Sequence, residues 1–235
     1  MILPYNEAEE MFRSFGLCLS EDMYRQFDAY AELLVEWNEK INLTAITDAQ
    51  GITEKHFLDS LAAFRNDIIP QNTSVIDVGT GAGFPGIPMK IYRNDLKVTL
   101  LDSLNKRVNF LSEVSDKLLL NMDCIHSRAE DGAKKPELRE KFDIATARAV
   151  APLPILCEYC LPYVKVGGCF IALKGPNENA RDSFTAYRTL GAEIADITEY
   201  QLPCGDKRQL VVYKKIKDTP AKYPRNPSQI DKKPL

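Results

Sequence analysis

The fold is decided by the stretch Val75-Ile76-Asp77-Val78-Gly79-Thr80-Gly81-Ala82-Gly83-Phe84-Pro85-Gly86. Apolar residues typical of a buried strand lead into glycines at alternate positions, and residues that can begin a helix follow. Glycine permits positive φ angles and lets a ligand approach the backbone closely. The spacing therefore predicts a strand–loop–helix unit that binds a nucleotide-like ligand at its loop.

Two ligand chemistries compete for this loop. Three of its glycines match the dinucleotide fingerprint, and Asp102 follows at the distance of a ribose-binding carboxylate. However, Asp77 favours a cationic sulfonium over a pyrophosphate, because like charges repel. Pro85 and Pro88 also remove N–H donors that a phosphate at the helix start would need. With no second domain left for the substrate of hydride transfer, we predict S-adenosylmethionine as the cofactor.

On both sides of this unit, the sequence pattern predicts an α/β fold. Short strand-like runs alternate with helical segments near residues 85–92, 104–120, 152–163 and 177–190, which favours a mostly parallel sheet covered on both faces. Gly205-Asp206 separates the last two runs and predicts a C-terminal antiparallel hairpin. The strand-like runs are Ser74–Val78, Lys97–Leu101, Asp123–Ser127, Phe142–Ala147, Cys169–Leu173, Glu193–Gln201 and Arg208–Lys214.

The first 70 residues have a helical pattern. Asn6 and Glu9 have the spacing of a capping pair, and Gly16 is expected to end that first helix. A long helix is predicted from Ser20, because apolar residues recur every three or four positions, and a third helix is predicted over Ile52–Phe64. We expect residues 1–70 to form a helical layer on the core, residues 71–216 the core, and residues 217–235 a basic tail whose prolines disfavour regular structure.

Charge and composition restrict the functional classes. The net charge is −3, yet the segment from Lys214 onward carries seven basic against two acidic residues, which is typical of either an interaction arm or a solubilising tail. No apolar run reaches the ~18–20 residues of a membrane span. The N-terminus lacks a secretory pattern, so we expect a cytoplasmic protein without membrane contact.

The six cysteines are expected to be reduced and mostly buried. Cys157 and Cys160 have the spacing of a metal or redox pair but lie well inside a helical segment. The only further candidate ligands, Cys124 and His126, are placed in a buried strand. We therefore predict no metal site.

Six candidate ligand-binding residues follow the carboxyl ends of three further predicted strands, where open α/β sheets bind their ligands. Asp102 could accept hydrogen bonds from two ribose hydroxyls. Each residue alone is more simply explained as a surface group, but together they favour one pocket. They are Asp102, Ser103, Leu104, Ala129, Glu130 and Arg148.

These motifs resemble the RsmG family, formerly the glucose-inhibited division protein B family, which methylates N7 of a guanine in small-subunit ribosomal RNA. The resemblance rests on Trp37–Thr44, Lys55–Ser60, Asp77–Pro88, Asp102-Ser103, Arg128-Ala129-Glu130, Ala147-Arg148-Ala149, Leu173-Lys174-Gly175 and Leu202-Pro203. It implies a class I S-adenosylmethionine-dependent methyltransferase fold (Rossmann-like) with cofactor contacts at Gly79, Phe84, Asp102, Ser103, Leu104, Ala129, Glu130 and Arg148. It also implies 16S ribosomal RNA, in the small ribosomal subunit or its precursor, as the partner. The tail departs from the family pattern after Tyr223-Pro224-Arg225.

Guanine N7 is an unprotonated lone pair at neutral pH, so its methylation needs no general base and depends on positioning. Arg148 is the predicted catalytic residue, since a guanidinium can donate to guanine O6 without blocking N7. His56, Lys174, Arg208 and Arg225 are candidate substrate contacts, each with a surface or structural role as the alternative. The alternative function is a small-molecule methyltransferase, which the acidic body of the protein favours, and we expect a monomer.

Overall fold

A seven-stranded sheet forms the centre of the protein. The computed structural model describes residues 1–66 and 69–235. The strands are β1 (Ser74–Val78), β2 (Lys97–Asp102), β3 (Asp123–His126), β4 (Phe142–Arg148), β5 (Val164–Lys174), β6 (Ala192–Gln201) and β7 (Lys207–Lys215). The helices are α1 (Tyr5–Ser14), α2 (Glu21–Ile41), α3 (Ala49–Gly51), α4 (Gly86–Tyr92), α5 (Asn105–Lys117), α6 (Ala129–Gly132), α7 (Leu153–Cys160), α8 (Phe184–Thr189) and α9 (Pro227–Lys232).

The strand order is β3-β2-β1-β4-β5-β7-β6. The strands from β3 to β5 pair in parallel, whereas β7 pairs antiparallel with both β5 and β6. This arrangement confirms the predicted Rossmann-like sheet with its closing hairpin. The order reverses between β1 and β4, and a crevice at the carboxyl ends of those strands is where such sheets bind ligands.

Strand β5 begins at Val164, five residues before the predicted start. Its pairing with β4 shifts register between Phe142 and Ile144, and Gly167 within the irregular stretch has a φ of +88°. Gly167 and Gly168 therefore form a bulge inside the strand. The predicted start at Cys169, after these glycines, was therefore wrong.

The long N-terminal helix packs on one side of the sheet as predicted. Ser20 caps α2, its hydroxyl accepting a hydrogen bond from the Met23 amide at 3.2 Å. Phe27, Tyr30 and Leu34 are fully buried in one cluster with side chains of the sheet and of α4 and α5. The apolar face of α2 is thus a packing face.

Two predictions in this N-terminal layer were wrong in detail. Helix α1 begins at Tyr5, with Pro4 at the cap position and no side-chain cap, so Asn6 and Glu9 do not cap it. The third helix is a π-helix over Ile52–Leu58, followed by a 3₁₀-helix over Ala62–Asn66. Nearly every residue of the π-helix is buried, so tertiary packing decides its geometry. Such π-helical stretches are often found at functional sites.

The tail is ordered against the core, which corrects the expectation of irregular structure. Asn226 caps the six-residue α9, and Ile230 of that helix is fully buried. Arg139 donates hydrogen bonds to the carbonyls of Thr219 and Tyr223, each at 2.8 Å. The division at residues 70 and 216 stays a prediction.

The cysteines lie in three environments, and each of the six is a free thiol. Burial raises the pKa of the Cys157 and Cys160 thiols, so both are protonated, unreactive core groups. His126 is exposed because β3 is an edge strand, so its placement in a buried strand was wrong. Within residues 1–66 and 69–235, no cluster of three metal-ligating side chains occurs and no helix is both long and apolar enough to span a bilayer.

Candidate methyl-donor and acceptor cavities

The glycine loop after β1 is held from below by a buried carboxylate. Asp77 is fully buried, and its Oδ2 accepts hydrogen bonds from the Thr80 hydroxyl at 2.5 Å and the Gly86 amide at 2.8 Å. Burial raises the pKa of Asp77 to about 7. Asp77 does not line the cavity above the loop, so it supports the loop. The sequence had suggested that it faces a cationic ligand, which was wrong.

The start of α4 offers no free donor to a phosphate among the described residues. The Gly86 amide donates to Asp77, the Ile87 amide donates to the Gly83 carbonyl at 2.8 Å, and Pro88 has no N–H. A pyrophosphate needs several free amides at this position. The backbone therefore favours a ligand without phosphate, in agreement with the prediction from the prolines.

A cavity of about 390 Å³, here called the glycine-loop cavity, lies above the loop. Gly79 has a φ of +70°, and a Cβ there would come within 3.0 Å of the Val150 side chain. Gly81 has a φ of +61° and open space where a Cβ would be, so a ligand can reach its backbone directly. The cavity is lined by Leu43, Thr44, His56, Gly79, Thr80, Gly81, Ala82, Phe84, Asp102, Ser103, Arg107, Arg148, Ala149 and Val150.

Asp102 closes one end of the glycine-loop cavity. Its Oδ2 accepts from the Gly81 amide and its Oδ1 from the Leu104 amide, both at 2.9 Å, and Arg107 lies 3.5 Å from Oδ2. These contacts fix the orientation of the carboxylate. Because each carboxylate oxygen can accept a second hydrogen bond, Asp102 can still accept two hydroxyl groups of a ligand.

Three predicted cofactor residues lie beside this cavity without lining it: Leu104, Ala129 and Glu130. The Ser127 amide donates to the Asp102 carbonyl at 3.1 Å, so the segment after β3 is tied to Asp102. Glu130 Oε1 is buried and accepts no hydrogen bond from the part of the chain that is described. A buried acceptor without a donor is costly, and an amino group of a ligand would remove that cost. Leu104, 51% exposed, adds an apolar surface.

A second cavity of about 820 Å³, the outer cavity, meets the glycine-loop cavity at His56, Arg148 and Ala149. Its remaining lining residues come from the segment after α2, the π-helix and the residue after it, the start of α7, the end of β5 with the loop and 3₁₀-helix that follow it, and β7. They are Ile46, Lys55, Asp59, Pro152, Leu153, Pro154, Leu173, Lys174, Gly175, Pro176, Asn177, Glu178, Asn179, Asp182 and Arg208. The two cavities together can hold a donor and an acceptor with their reacting atoms at the shared wall.

Arg148 lies at this shared wall and is tied to the π-helix. Its Nη1 donates to the Lys55 carbonyl at 2.9 Å and lies 3.2 Å from Asp59 Oδ2. Its guanidinium carbon is 4.7 Å from the centroid of the Phe84 ring. Contacts on several sides fix the guanidinium plane, which a lysine could not reproduce.

His56 belongs to the π-helix and packs against the glycine loop beside Arg148. Its ring stacks on Phe84 with centroids 4.4 Å apart, and Nε2 lies 2.8 Å from the Thr44 hydroxyl. Burial and the positive charge of Arg148 lower the pKa of His56 to about 4. His56 is therefore neutral near pH 7, so it can position neighbouring groups without adding charge.

Asp59 connects Arg148 to the hairpin. Its Oδ1 accepts the Tyr200 hydroxyl at 2.8 Å and lies 3.7 Å from Arg208 Nε. The structure thus brings His56, Arg148 and Arg208 together, as predicted for a site. Tyr200 was missed, since nothing in an isolated strand residue indicates a partner 141 positions away.

Two predicted substrate contacts are engaged in ion pairs. Lys174 lines the outer cavity, but its ammonium donates to the Ala151 carbonyl at 2.7 Å and pairs with Glu178 at 2.7 Å. Arg225 lines neither the glycine-loop cavity nor the outer cavity, and its guanidinium pairs with the fully buried Glu158 at 2.6 Å. The prediction did not anticipate that a carboxylate buried in α7 would hold the tail arginine, and the structure does not bring Arg225 to the site.

Comparisons with known proteins agree with this geometry. The chain is 57% identical over 226 residues to ribosomal RNA small subunit methyltransferase G of Clostridium perfringens strain SM101, covering 94% of this chain and 95% of that one. It is 52% identical over 235 residues to the protein of that name from Clostridium beijerinckii, with 98% of both chains covered.

Solved structures with lower identity show the fold alone. A SAM-dependent methyltransferase from Aquifex aeolicus superposes with a TM-score of 0.53 at 17% identity, covering 78% of this chain and 97% of that one. Geranyl diphosphate C-methyltransferase from Streptomyces coelicolor, solved with S-adenosyl-L-homocysteine, superposes with a TM-score of 0.54 at 13% identity, covering 80% of this chain and 98% of that one.

The GidB family model, described as rRNA small subunit methyltransferase G, matches residues 23–212, and the chain belongs to that family.

Proposed function

We propose that this protein transfers a methyl group from S-adenosylmethionine to N7 of a guanine in 16S ribosomal RNA of the small subunit. The observation that carries the proposal is the position of Arg148, which lies on the wall shared by the two cavities. The RNA and the N7 atom follow from family membership.

The glycine-loop cavity has the groups that S-adenosylmethionine requires. The Asp102 carboxylate accepts the ribose hydroxyls. Glu130 Oε1, which lies 3.9 Å from Arg128 Nη1 and accepts no hydrogen bond from the described residues, accepts the adenine amino group beside the Leu104 surface. Ala129 lies at the adenine end, Ser103 follows Asp102, and Gly79 and Phe84 lie at the opposite end near Arg148. Once bound, this cofactor supplies an electrophilic methyl group.

The protein's contribution to the transfer is positioning. N7 of guanine needs no deprotonation, and His56, with its pKa near 4, provides no base that is matched to such a step. Arg148 donates to guanine O6 from a plane fixed by Asp59 and Phe84, which holds N7 towards the glycine-loop cavity. Orientation of this kind can contribute ~7–11 kcal/mol to a barrier.

The RNA backbone is expected at the outer cavity. Lys55, Lys174 and Arg208 line it from three different elements. Lys55 and Arg208 are partly exposed, whereas Lys174 is mostly buried and paired. We therefore assign phosphate contacts to Lys55 and Arg208, and to Lys174 the role of holding the loop after β4 through Ala151.

The proposal is tested with tritiated S-adenosylmethionine and small subunits from a strain that lacks this protein. We expect label in 16S RNA, mapped to a guanine by borohydride reduction and aniline cleavage at N7-methylguanine. Arg148→Ala should abolish the label, and Arg148→Lys should restore little of it, because the fixed planar donor is lost. Subunits and naked 16S RNA are assayed in parallel.

The competing function is methylation of a small molecule. Label in a metabolite fraction, with none in 16S RNA in either form, would refute the RNA substrate and support that alternative. We further propose that the protein works as a monomer in the cytoplasm. Sedimentation velocity with and without RNA tests the monomer, and cell fractionation tests the location.

A further inference from the structure

A single carboxylate oxygen on the hairpin turn pairs with two cations at the outer cavity. Asp206 Oδ2 lies 3.3 Å from Lys55 Nζ and 3.2 Å from Arg208 Nη2. Lys55 belongs to the π-helix and Arg208 to β7, and both line the outer cavity. Asp206 itself does not line the outer cavity, so its carboxylate contacts Lys55 and Arg208 from outside that cavity.

The geometry around Asp206 Oδ2 matches what a phosphate oxygen requires. Both groups carry negative charge and only accept hydrogen bonds, and a lysine and an arginine on one oxygen form a common phosphate site. The pairing with Lys55 lowers the pKa of Asp206 and raises that of Lys55, so both of these groups are charged at neutral pH.

Arg208 faces one buried and one exposed carboxylate, in addition to the Lys207 carbonyl, which accepts from its Nη1 at 2.9 Å. Its Nε faces Asp59, whose side chain is only 8% exposed, whereas its Nη2 faces Asp206, whose side chain is 40% exposed. Exposed ion pairs stabilise proteins little, so an incoming anion can displace Asp206. The Asp206 carbonyl accepts from the Leu202 amide at 2.9 Å, and the side chain can leave while the turn stays in place.

We propose that Lys55 and Arg208 form a phosphate-binding subsite for the RNA strand, and that Asp206 occupies it in the free protein. When RNA binds, a backbone phosphate replaces the Asp206 carboxylate between the two cations. The inference rests on the proposed function, since it assumes an RNA substrate. It adds an internal competitor that lowers the affinity of Lys55 and Arg208 for any phosphate, including that of the RNA.

Asp206→Asn is the decisive variant. It removes the competing charge and leaves both cations in place, so we expect naked 16S RNA to bind about three- to ten-fold more tightly at moderate salt. Lys55→Gln should weaken binding and reduce the slope of log K against log salt by about 0.7, the value for one phosphate contact on a single strand.

Asp22→Asn is the matched control. It changes the net charge equally and breaks an exposed aspartate–arginine pair of 3.2 Å with Arg25, but Asp22 lines neither the glycine-loop cavity nor the outer cavity. Binding is measured by filter retention with 16S RNA, and thermal melting checks that each variant is folded.

The outcomes separate the inference from the proposed function. Tighter binding by Asp206→Asn, with Asp22→Asn equal to the unmodified protein, supports the subsite. If the unmodified protein binds and methylates RNA but Asp206→Asn binds equally or more weakly, Asp206 is only a structural partner and the inference is wrong. If the unmodified protein neither binds nor methylates RNA, the proposed function is wrong, and the inference that rests on it is wrong as well.

Discussion

Replacing Tyr200 with phenylalanine removes one hydroxyl from the network behind Arg148. Tyr200 is buried, and its hydroxyl donates to Asp59 Oδ1 at 2.8 Å, while Asp59 Oδ2 lies 3.2 Å from Arg148 Nη1. The ring packs edge-on against Phe15 at 6.1 Å between centroids. Phenylalanine keeps that packing, so the change is confined to the donor on Asp59.

The size of the effect follows from the charge on Asp59. A hydrogen bond to a charged group contributes about 1.5–3 kcal/mol, and Arg148 and Arg208 still face the carboxylate after the change. We expect the lower end of that range in the free energy of unfolding. With one oxygen of Asp59 released, Arg148 loses part of its fixed geometry, and kcat should fall about ten-fold, or ~1.4 kcal/mol in barrier height. The KM for S-adenosylmethionine should change less than two-fold.

Tyr213→Phe is the matched control for Tyr200→Phe. The Tyr213 hydroxyl lies 2.8 Å from the Ser183 hydroxyl, and its ring stacks on Phe170 in a second buried cluster. Tyr213 lines neither the glycine-loop cavity nor the outer cavity. Urea unfolding and steady-state methylation are measured for both variants. Similar losses of stability with a fall in kcat for Tyr200→Phe alone support a positioning role. Wild-type kcat in Tyr200→Phe, or equal losses of kcat in both variants, would refute the reasoning.

Alanine at Gly81 (φ +61°) or at Gly16 (φ +83°) carries a similar backbone strain of roughly 1–2 kcal/mol, and neither Cβ meets an atom within 4 Å. Both variants should have a lower melting temperature than the unmodified protein. Calorimetry should show at least ten-fold weaker cofactor binding only for Gly81→Ala. Equal cofactor affinities of the two variants would contradict the cavity assignment. Arg225→Ala leaves the buried Glu158 unpaired and should cost ~3–5 kcal/mol in urea unfolding, with RNA affinity unchanged below the melting temperature. A loss of RNA affinity without a loss of stability would restore Arg225 as an RNA contact. His56 has its folded-state pKa near 4, below the unfolded value, so its contribution to stability is complete above about pH 6.5 and is lost as pH falls towards 4. Between pH 7 and 4.5 the unmodified protein should lose about 2–3 kcal/mol relative to His56→Gln, and an unchanged difference between the two would show that His56 is not held neutral.

The sheet could be predicted from the sequence because its signals are local. The strands β1, β2 and β4 lie in short, mostly apolar runs bounded by turn residues, and helical segments separate the runs. The features that were missed are set by contacts between distant segments. The π-helix is buried on nearly all sides, and the bulge at Gly167 depends on the pairing of β5 with β4.

The candidate site divides in the same way. Asp102 and Arg148 could be placed because they end predicted strands, and parallel strands carry their carboxyl ends to one edge. The partners of these residues could not be placed. Whether an arginine is free or paired depends on carboxylates far away in sequence, as Glu158 shows for Arg225 and Asp206 for Arg208.

The N-terminal layer provides the partners that hold Arg148 at the site. A partly buried guanidinium requires partners for its N–H groups, and here Lys55, His56 and Asp59, all from the segment before β1, provide them for Arg148. The same segment reaches the cofactor loop, because the His56 ring stacks on Phe84 beneath that guanidinium. A shift of the π-helix would therefore move the walls of the donor and acceptor cavities together. The residues before β1 thus determine acceptor geometry, although they belong to no strand of the sheet that binds the cofactor.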